Sequence, residues 1–80
     1  MAHQTNERQL LIDLVADLKE TEVLELIEAR MKQWHDPLEI IQDCQEGLRQ
    51  VGLRYEQKEY FLAGLIMAGE IFREVMEIVQ

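Results

Sequence analysis

Apolar residues recur along this chain at intervals of three and four positions, the spacing that places them on one face of an α-helix. Four such segments are separated by short polar stretches. The chain has one proline and four glycines, too few to supply the turns of a multistranded protein. The pattern therefore predicts an all-α protein, a small antiparallel up-and-down bundle of four helices with short connections.

The first two predicted helices each combine a polar start with one apolar strip. Asn6 and Gln9 fit a capping box at the start of the first helix, and Thr21 is a suitable N-cap for the second. Residues 1–5, ahead of the first helix, are expected to be frayed. We expect two strips to face the core: Leu10, Leu11, Leu14, Val15 and Leu18 on the first helix, and Val23, Leu24, Ile27, Met31 and Trp34 on the second.

The third predicted helix has the clearest start in the chain. Asp36 can cap it, Pro37 suits the first helical position, and Glu39 completes a capping box. Its apolar strip consists of Ile41, Cys44, Leu48, Val51 and Tyr55. Gly47 and Gly52 lie inside this helix, where each costs about 1 kcal/mol relative to alanine, so we expect a kink or a close approach of a neighbour there.

The fourth helix is predicted from about residue 60 to residue 79, after a polar turn at 57–59, and it is apolar around most of its circumference. One strip contains Phe61, Leu65, Ala68, Phe72, Val75 and Val79, an adjacent strip contains Leu62, Ile66, Gly69, Arg73 and Met76, and outside both lie Met67, Ile71 and Ile78. Two interpretations are open: a central, wholly packed helix, or a second apolar surface that meets a partner or a ligand. Gly64 and Ala68, four positions apart, would line a face that admits a flat ligand or another helix.

The charge and composition of the chain exclude several classes of partner. Sixteen acidic and eight basic residues among 80 give a net charge of -8, and the basic residues are not clustered, which disfavours nucleic acid and anionic membranes as partners. The longest uncharged segment, residues 60–69, is about half of what a membrane-spanning helix needs. A polar amino terminus and a single cysteine then predict a cytoplasmic protein with one domain over residues 1–80.

Candidate catalytic and metal-binding groups are sparse. The chain has no serine, and Cys44 lies on an apolar strip, where cysteine serves as a small core residue. Neither Glu-x-x-His nor His-x-x-x-His spacing occurs, so we predict no catalytic residue and no zinc or di-iron site. His35, beside Trp34 at a helix end, leaves two interpretations: an axial ligand to a haem or corrin, or a helix-end cation.

Several motifs occur together in the second half of the chain. They are Val-Gly at 51–52, an aromatic-Glu pair at 55–56 and Glu-Tyr-Phe-Leu at 59–62, which leads into the apolar last helix. With Asp-Pro-Leu-Glu-Ile at 36–40 and Glu-Val-Leu-Glu-Leu at 22–26, they resemble the helical cap domain of corrinoid proteins, as in methionine synthase and other cobalamin-dependent methyltransferases. The resemblance extends from about residue 8 to the end. It implies a four-helix cap that precedes a Rossmann-like cobalamin domain and shields the methyl–cobalt bond on the upper corrin face.

The resemblance also implies which residues face the corrin, at the start of the fourth helix: Tyr60, Phe61, Leu65 and Ile66. The chain departs from the family pattern at Lys58, where glycine is usual, at Ala63 and Gly64, which replace a Pro-Glu-like pair, and at Phe72, usually a methionine. The Asp-x-His-x-x-Gly motif that supplies the lower cobalt ligand in the partner domain does not occur in this sequence. Cobalamin binding would therefore need such a partner domain.

Three functions follow from these observations as alternatives. The chain is a cobalamin-binding cap module, accessory to a methyltransferase and not catalytic alone; or a stand-alone homodimer that covers its apolar surface by self-association; or a tetrapyrrole-sensing regulatory domain. All three depend on an apolar surface of the fourth helix that the other helices leave open.

Overall fold

The computed structural model describes the backbone of residues 2–80 and the side chains from residue 7 onward. Four helices form this part of the chain, without any strand: α1 (Ala2–Ala16), α2 (Glu20–Lys32), α3 (Pro37–Glu56) and α4 (Leu62–Val79). The prediction of an all-α, four-helix protein is confirmed. The predicted fraying of residues 1–5 lies outside the fully described residues. None of the four helices described is long and apolar enough to cross a lipid bilayer.

The starts of three helices differ from the sequence prediction. Asn6 lies within α1, so this residue is not the N-cap. Helix α2 begins at Glu20 instead of after Thr21, and Lys19 occupies its cap position without a side-chain hydrogen bond. Helix α4 begins at Leu62, two residues later than predicted. Phe61 precedes α4 in an extended backbone conformation and, like Lys19 before α2, makes no side-chain capping bond, because neither side chain carries the short oxygen acceptor that caps a helix.

The start of α3 is as predicted. Asp36 has an extended backbone, and its carboxylate accepts a hydrogen bond of 2.9 Å from the backbone N–H of Leu38. Pro37 is the first helical residue, where its missing N–H leaves no acceptor unpaired.

Helices α1, α2 and α3 end in the same way, with a residue in left-handed backbone conformation. The φ angles are 57° at Leu18, 62° at Trp34 and 66° at Lys58. At the end of α2, the N–H of Trp34 donates to the carbonyl of Met31 and the N–H of His35 to that of Arg30. This bond pair is a Schellman motif, and equivalent pairs close α1 and α3. Trp34 therefore lies beyond α2, and its predicted place on the inward strip is wrong.

The helices pack as a ring in which α1 and α4 each contact both α2 and α3. Consecutive pairs α1–α2 and α3–α4 pack together as expected, whereas α2 and α3 lie across the ring and make few contacts with each other. The expectation that every consecutive pair packs side by side is thus corrected. Helix α3 instead lies against α1 at Gly47, where a Cβ would be 2.6 Å from the Cβ of Val15. The predicted close approach is confirmed at Gly47, but not at Gly52, where a Cβ would meet nothing within 4 Å.

The core takes one strip from each helix. The members of this core cluster are Leu11, Val15, Val23, Ile27, Ile40, Cys44, Ile71, Val75 and Val79. The buried strips of α3 and α4 are rotated from their predicted positions. Helix α3 buries Ile40 and exposes Tyr55, the reverse of the prediction. Helix α4 buries Ile71, which lies outside both apolar strips predicted for this helix. The contact of Gly47 with α1 sets the rotation of α3, since its buried residues lie three, four or seven positions from this glycine. Leu10, expected inside, is exposed.

Candidate functional site

A polar cluster at the end of α1 fixes the turn between α3 and α4. The Tyr60 hydroxyl donates a 2.8 Å hydrogen bond to the carbonyl of Ala16, the last residue of α1. Arg54 Nη1 donates to the same carbonyl at 2.9 Å and to the Asp17 carboxylate at 2.7 Å, and its guanidinium lies 5.6 Å from the centre of the Tyr60 ring. A terminal helix carbonyl has no partner within the helix, so this cluster satisfies α1 and anchors the start of α4.

The anchoring of Tyr60 leaves the next apolar side chains outside the core. Phe61 is 80% exposed, Leu62 61% and Ile66 66%. Leu62 and Ile66 are four positions apart and share a face of α4, and Phe61 is the residue that precedes this helix. Phe61, Leu62 and Ile66 are called the α4 apolar patch below. Leu62 is not among the four residues that the resemblance places against a corrin, although the second apolar strip predicted on this helix contains both Leu62 and Ile66.

A cleft of about 420 Å³ adjoins the α4 apolar patch. Its walls are formed by the end of α3 and the turn that follows: Tyr55, Glu56, Lys58, Tyr60 and Phe61. Three of these five side chains are aromatic. The patch and this cleft together form an apolar surface at one end of the bundle.

The four residues predicted to face a corrin differ in their exposure to solvent. Phe61 and Ile66 are exposed, whereas Tyr60 and Leu65 are half-buried, and the Tyr60 hydroxyl is turned inward to Ala16. Contact with a cofactor stays a prediction for all four.

Gly64 and Ala68 of α4 do not form an open face. Ala68 is buried in the core, and a Cβ on Gly64 would lie 3.3 Å from Tyr60 Cβ and 3.5 Å from Leu18 Cδ1. The expectation that Gly64 and Ala68 would admit a ligand or helix is therefore wrong, because the chain covers this face itself. The open apolar surface lies elsewhere on the helix, at Leu62 and Ile66.

A second polar cluster, which sequence analysis missed, lies near the start of α3. Asp43 is only 2% exposed; its Oδ1 accepts from Arg8 Nε at 3.0 Å and its Oδ2 from Arg30 Nη1 at 3.1 Å. Arg30, also 2% exposed, donates Nε–H to His35 Nδ1 at 3.1 Å, so the hydrogen of a neutral His35 is on Nε2. Hydrophobic periodicity gave no signal here, because it assigns charged residues to solvent.

The structure also places the other candidate chemical groups, His35 and Cys44. His35 takes part in the Arg30 cluster at the α2–α3 turn, at the other end of α3 from the α4 apolar patch. Burial, the largest cause, together with the charge of Asp43 raises the pKa of the Cys44 thiol to about 12, which fits a core residue and not a nucleophile. Among the described residues, no three His, Cys, Asp or Glu side chains are grouped so as to hold a metal ion.

Comparison with protein families identifies the chain. Residues 7–80 match the family described as a B12 binding domain. The chain belongs to this family. The family is the helical cap domain of B12-binding proteins, so the resemblance found in the sequence is confirmed. No solved structure matches the chain significantly.

Membership of the B12 binding domain family implies an association with cobalamin. The matched region contains the whole α4 apolar patch. Three uncharged side chains suit the apolar face of a corrin macrocycle, and none of them offers a nitrogen, oxygen or sulfur atom to cobalt. This part of the B12 binding domain therefore offers an exposed apolar surface and no metal ligand.

Proposed function

We propose that this B12 binding domain is a cap that covers the upper face of the corrin of cobalamin, with Phe61, Leu62 and Ile66 toward the ring. The observation that carries the proposal is the exposed, uncharged α4 apolar patch on a chain with a net charge of -8. Bound cobalamin would supply the cobalt that carries a methyl group in methyl transfer. The side chains of the patch would exclude water from that face.

The proposal includes a partner. Because the patch offers no ligand atom, a Rossmann-like cobalamin domain would supply the lower cobalt ligand and hold the cofactor from the opposite side. The Tyr60–Ala16 and Arg54–Asp17 bonds would keep the patch in a fixed orientation toward this partner. The domain would then assist a methyltransferase and carry out no catalysis alone.

Phe61→Asp tests the cap proposal. The side chain is exposed, so folding should be preserved, whereas a carboxylate buried against a corrin is costly. We expect affinity for a methylcobalamin-loaded Rossmann-like corrinoid protein, measured by calorimetry, to fall at least about tenfold. Leu38→Asp is the matched control, because Leu38 is also exposed but lies near the start of α3.

The two variants make the test decisive. Unchanged affinity of the Phe61→Asp variant, or an equal loss in the Leu38→Asp variant, would contradict the cap proposal. Circular dichroism of both variants checks that the helix content is retained.

The same patch supports self-association as a second candidate function. Exposed apolar side chains on an 80-residue domain are readily covered by a second copy, and a symmetric contact through α4 would bury Phe61 and Ile66 of both chains. Sedimentation equilibrium of the isolated chain should then show a dimer, and the Phe61→Asp variant should be a monomer. A wild-type chain that is monomeric at micromolar concentration would contradict this candidate.

A further inference from the structure

Trp34 is the most exposed large apolar side chain among the described residues. It is 93% exposed and has a φ of 62°. The two hydrogen bonds that close α2 here, from the N–H groups of Trp34 and His35, come from the backbone alone. Glycine would therefore serve the fold at a lower cost. Neither packing nor the end of α2 explains an indole at this position.

The indole borders a cleft of about 400 Å³ beside the α2–α3 turn, here called the Trp34 cleft. Two arginines, Arg8 and Arg30, line it, and both are already paired with Asp43. Arg30 also donates to His35. The basic groups of the cleft thus have partners within the fold.

Among the residues whose side chains the structure describes, carboxylates outnumber arginines at the Trp34 cleft. Glu7, Asp36 and Glu39 line it, so with Asp43 there are four described carboxylates and two described arginines. Asp36 accepts the N–H of Leu38 at the start of α3, and Glu7 Oε1 lies 3.9 Å from His35 Nε2. The described part of the cleft thus places an excess of carboxylates beside an exposed aromatic ring.

An aromatic face next to unbalanced carboxylates is an arrangement that recognises a guanidinium group. We propose that the Trp34 cleft is a docking site for an arginine side chain on the surface of a partner protein. The guanidinium stacks on the indole and pairs with Glu7 and Glu39. Helix α3 has 20 residues, so the cleft lies about 30 Å from the α4 apolar patch, and docking there is independent of cobalamin.

The protein carries its own reporter for this docking, because Trp34 is the only tryptophan. The probe is an acetylated and amidated Gly-Arg-Gly-Arg-Gly peptide, titrated into the full chain at low salt while tryptophan fluorescence is recorded. We expect a saturable change with a Kd on the order of millimolar, about threefold weaker for the lysine peptide, whose ammonium does not stack. The citrulline peptide keeps the shape without the charge and should give no saturable change.

A double substitution, Glu7→Gln with Glu39→Gln, keeps the reporter and removes the two pairing carboxylates. Binding of the arginine peptide should weaken about tenfold. Glu25→Gln with Glu28→Gln, on the exposed face of α2, is the control with the same net charge and should retain binding. Equal responses to the arginine and citrulline peptides, or an equal loss in the two double variants, would overturn the proposal. Thermal unfolding verifies that all chains are folded.

Discussion

Individual backbone conformations set the ends of three helices in this B12 binding domain. Leu18, Trp34 and Lys58 all have positive φ, although none is glycine. A residue with a Cβ loses about 1 kcal/mol in this conformation. The structure thus gives a physical reason for the glycine that is usual in similar cap domains at Lys58.

Replacing Lys58 by glycine should increase the free energy of unfolding by about 1 kcal/mol. The side chain is exposed, and the backbone N–H supplies the bond to Tyr55, so little packing is lost. Urea unfolding followed by circular dichroism measures the change. Gln42→Gly, at an exposed position inside α3, is the control and should decrease stability by about 1 kcal/mol. A destabilised Lys58→Gly variant would show that the left-handed conformation is not strained.

Two glycines of α3 should respond to alanine in opposite directions. A Cβ at Gly47 would lie 2.6 Å from both Cβ and Cγ1 of the buried Val15, whereas a Cβ at Gly52 would meet nothing within 4 Å. Gly47→Ala should destabilise the fold by roughly 1–3 kcal/mol through overpacking. Gly52→Ala should stabilise it by about 1 kcal/mol through helix propensity. Thermal unfolding of the pair tests this, and shifts of the same sign would contradict the close contact of α1 and α3.

At the scale of elements, α2 and α4 are joined by two carboxyl groups. The hydrogen bond with Glu20 is the largest cause that raises the pKa of Glu74, followed by desolvation and the charge of Glu20. Glu74 Oε1 is buried and has no partner among the described residues. This contact is therefore favourable when a proton is shared and unfavourable when both groups are ionised.

Glu74→Gln should remove the pH dependence of this contact. A raised pKa in the folded chain means that the contact stabilises fully below the ordinary value of 4.5 and weakens as pH rises through the folded value. The variant should thus melt at a higher temperature than the wild type at neutral pH, with the difference disappearing in acid. Melting temperatures across this range measure the effect. Glu25→Gln, exposed on α2, is the control, and an equal gain there would exclude the Glu20–Glu74 contact as the cause.

At the scale of the whole molecule, one buried carboxylate connects three helices. Asp43 on α3 binds Arg8 of α1 and Arg30 of α2, and Asp43 and Arg30 are both almost fully buried. A buried pair adds modest net stability, but removal of one partner leaves the other charge unpaired. The cluster thus fixes how α2 and α3, which share few direct contacts, are placed around α1.

Asp43→Asn should destabilise the fold by about 3–5 kcal/mol, because Arg30 loses its countercharge in the interior. Denaturant unfolding measures the loss. Asp17→Asn is the control: its pair with Arg54 is half exposed, and its loss should cost less than about 1 kcal/mol. Should the Asp43→Asn chain not fold, Arg8→Met gives a milder measurement, since Asp43 then keeps Arg30. Similar small losses for Asp43→Asn and Asp17→Asn would refute a structural role of the cluster.

Two surfaces of the whole molecule lie at opposite ends of helix α3. Helix α3 separates the α4 apolar patch at its carboxyl end from the Trp34 cleft at its amino end. The patch proposed to face the corrin and the cleft proposed to dock an arginine would therefore be held at a fixed distance by one continuous helix.

The sequence alone determined the four helices, the start of α3, the turn before α4 and the family. These features depend on local information: helical periodicity within each segment, the Asp36–Pro37 pair, and the motifs at 51–62. The excess of apolar surface on α4 could also be predicted, because its residues exceed what one buried strip requires.

Only the tertiary structure decided which of these apolar residues remain exposed. Tyr60 is drawn inward by Ala16, 44 positions earlier, while its neighbour Phe61 stays in solvent. The Asp43 cluster likewise depends on Arg8, 35 positions away. Hydrophobic periodicity indicates how much apolar surface a helix must bury. The rotation of that helix and the helices it packs against are set by contacts between residues far apart in the chain. That is why the patch, the cleft at Trp34 and the placement of α2 and α3 across the ring from each other emerged only from the fold.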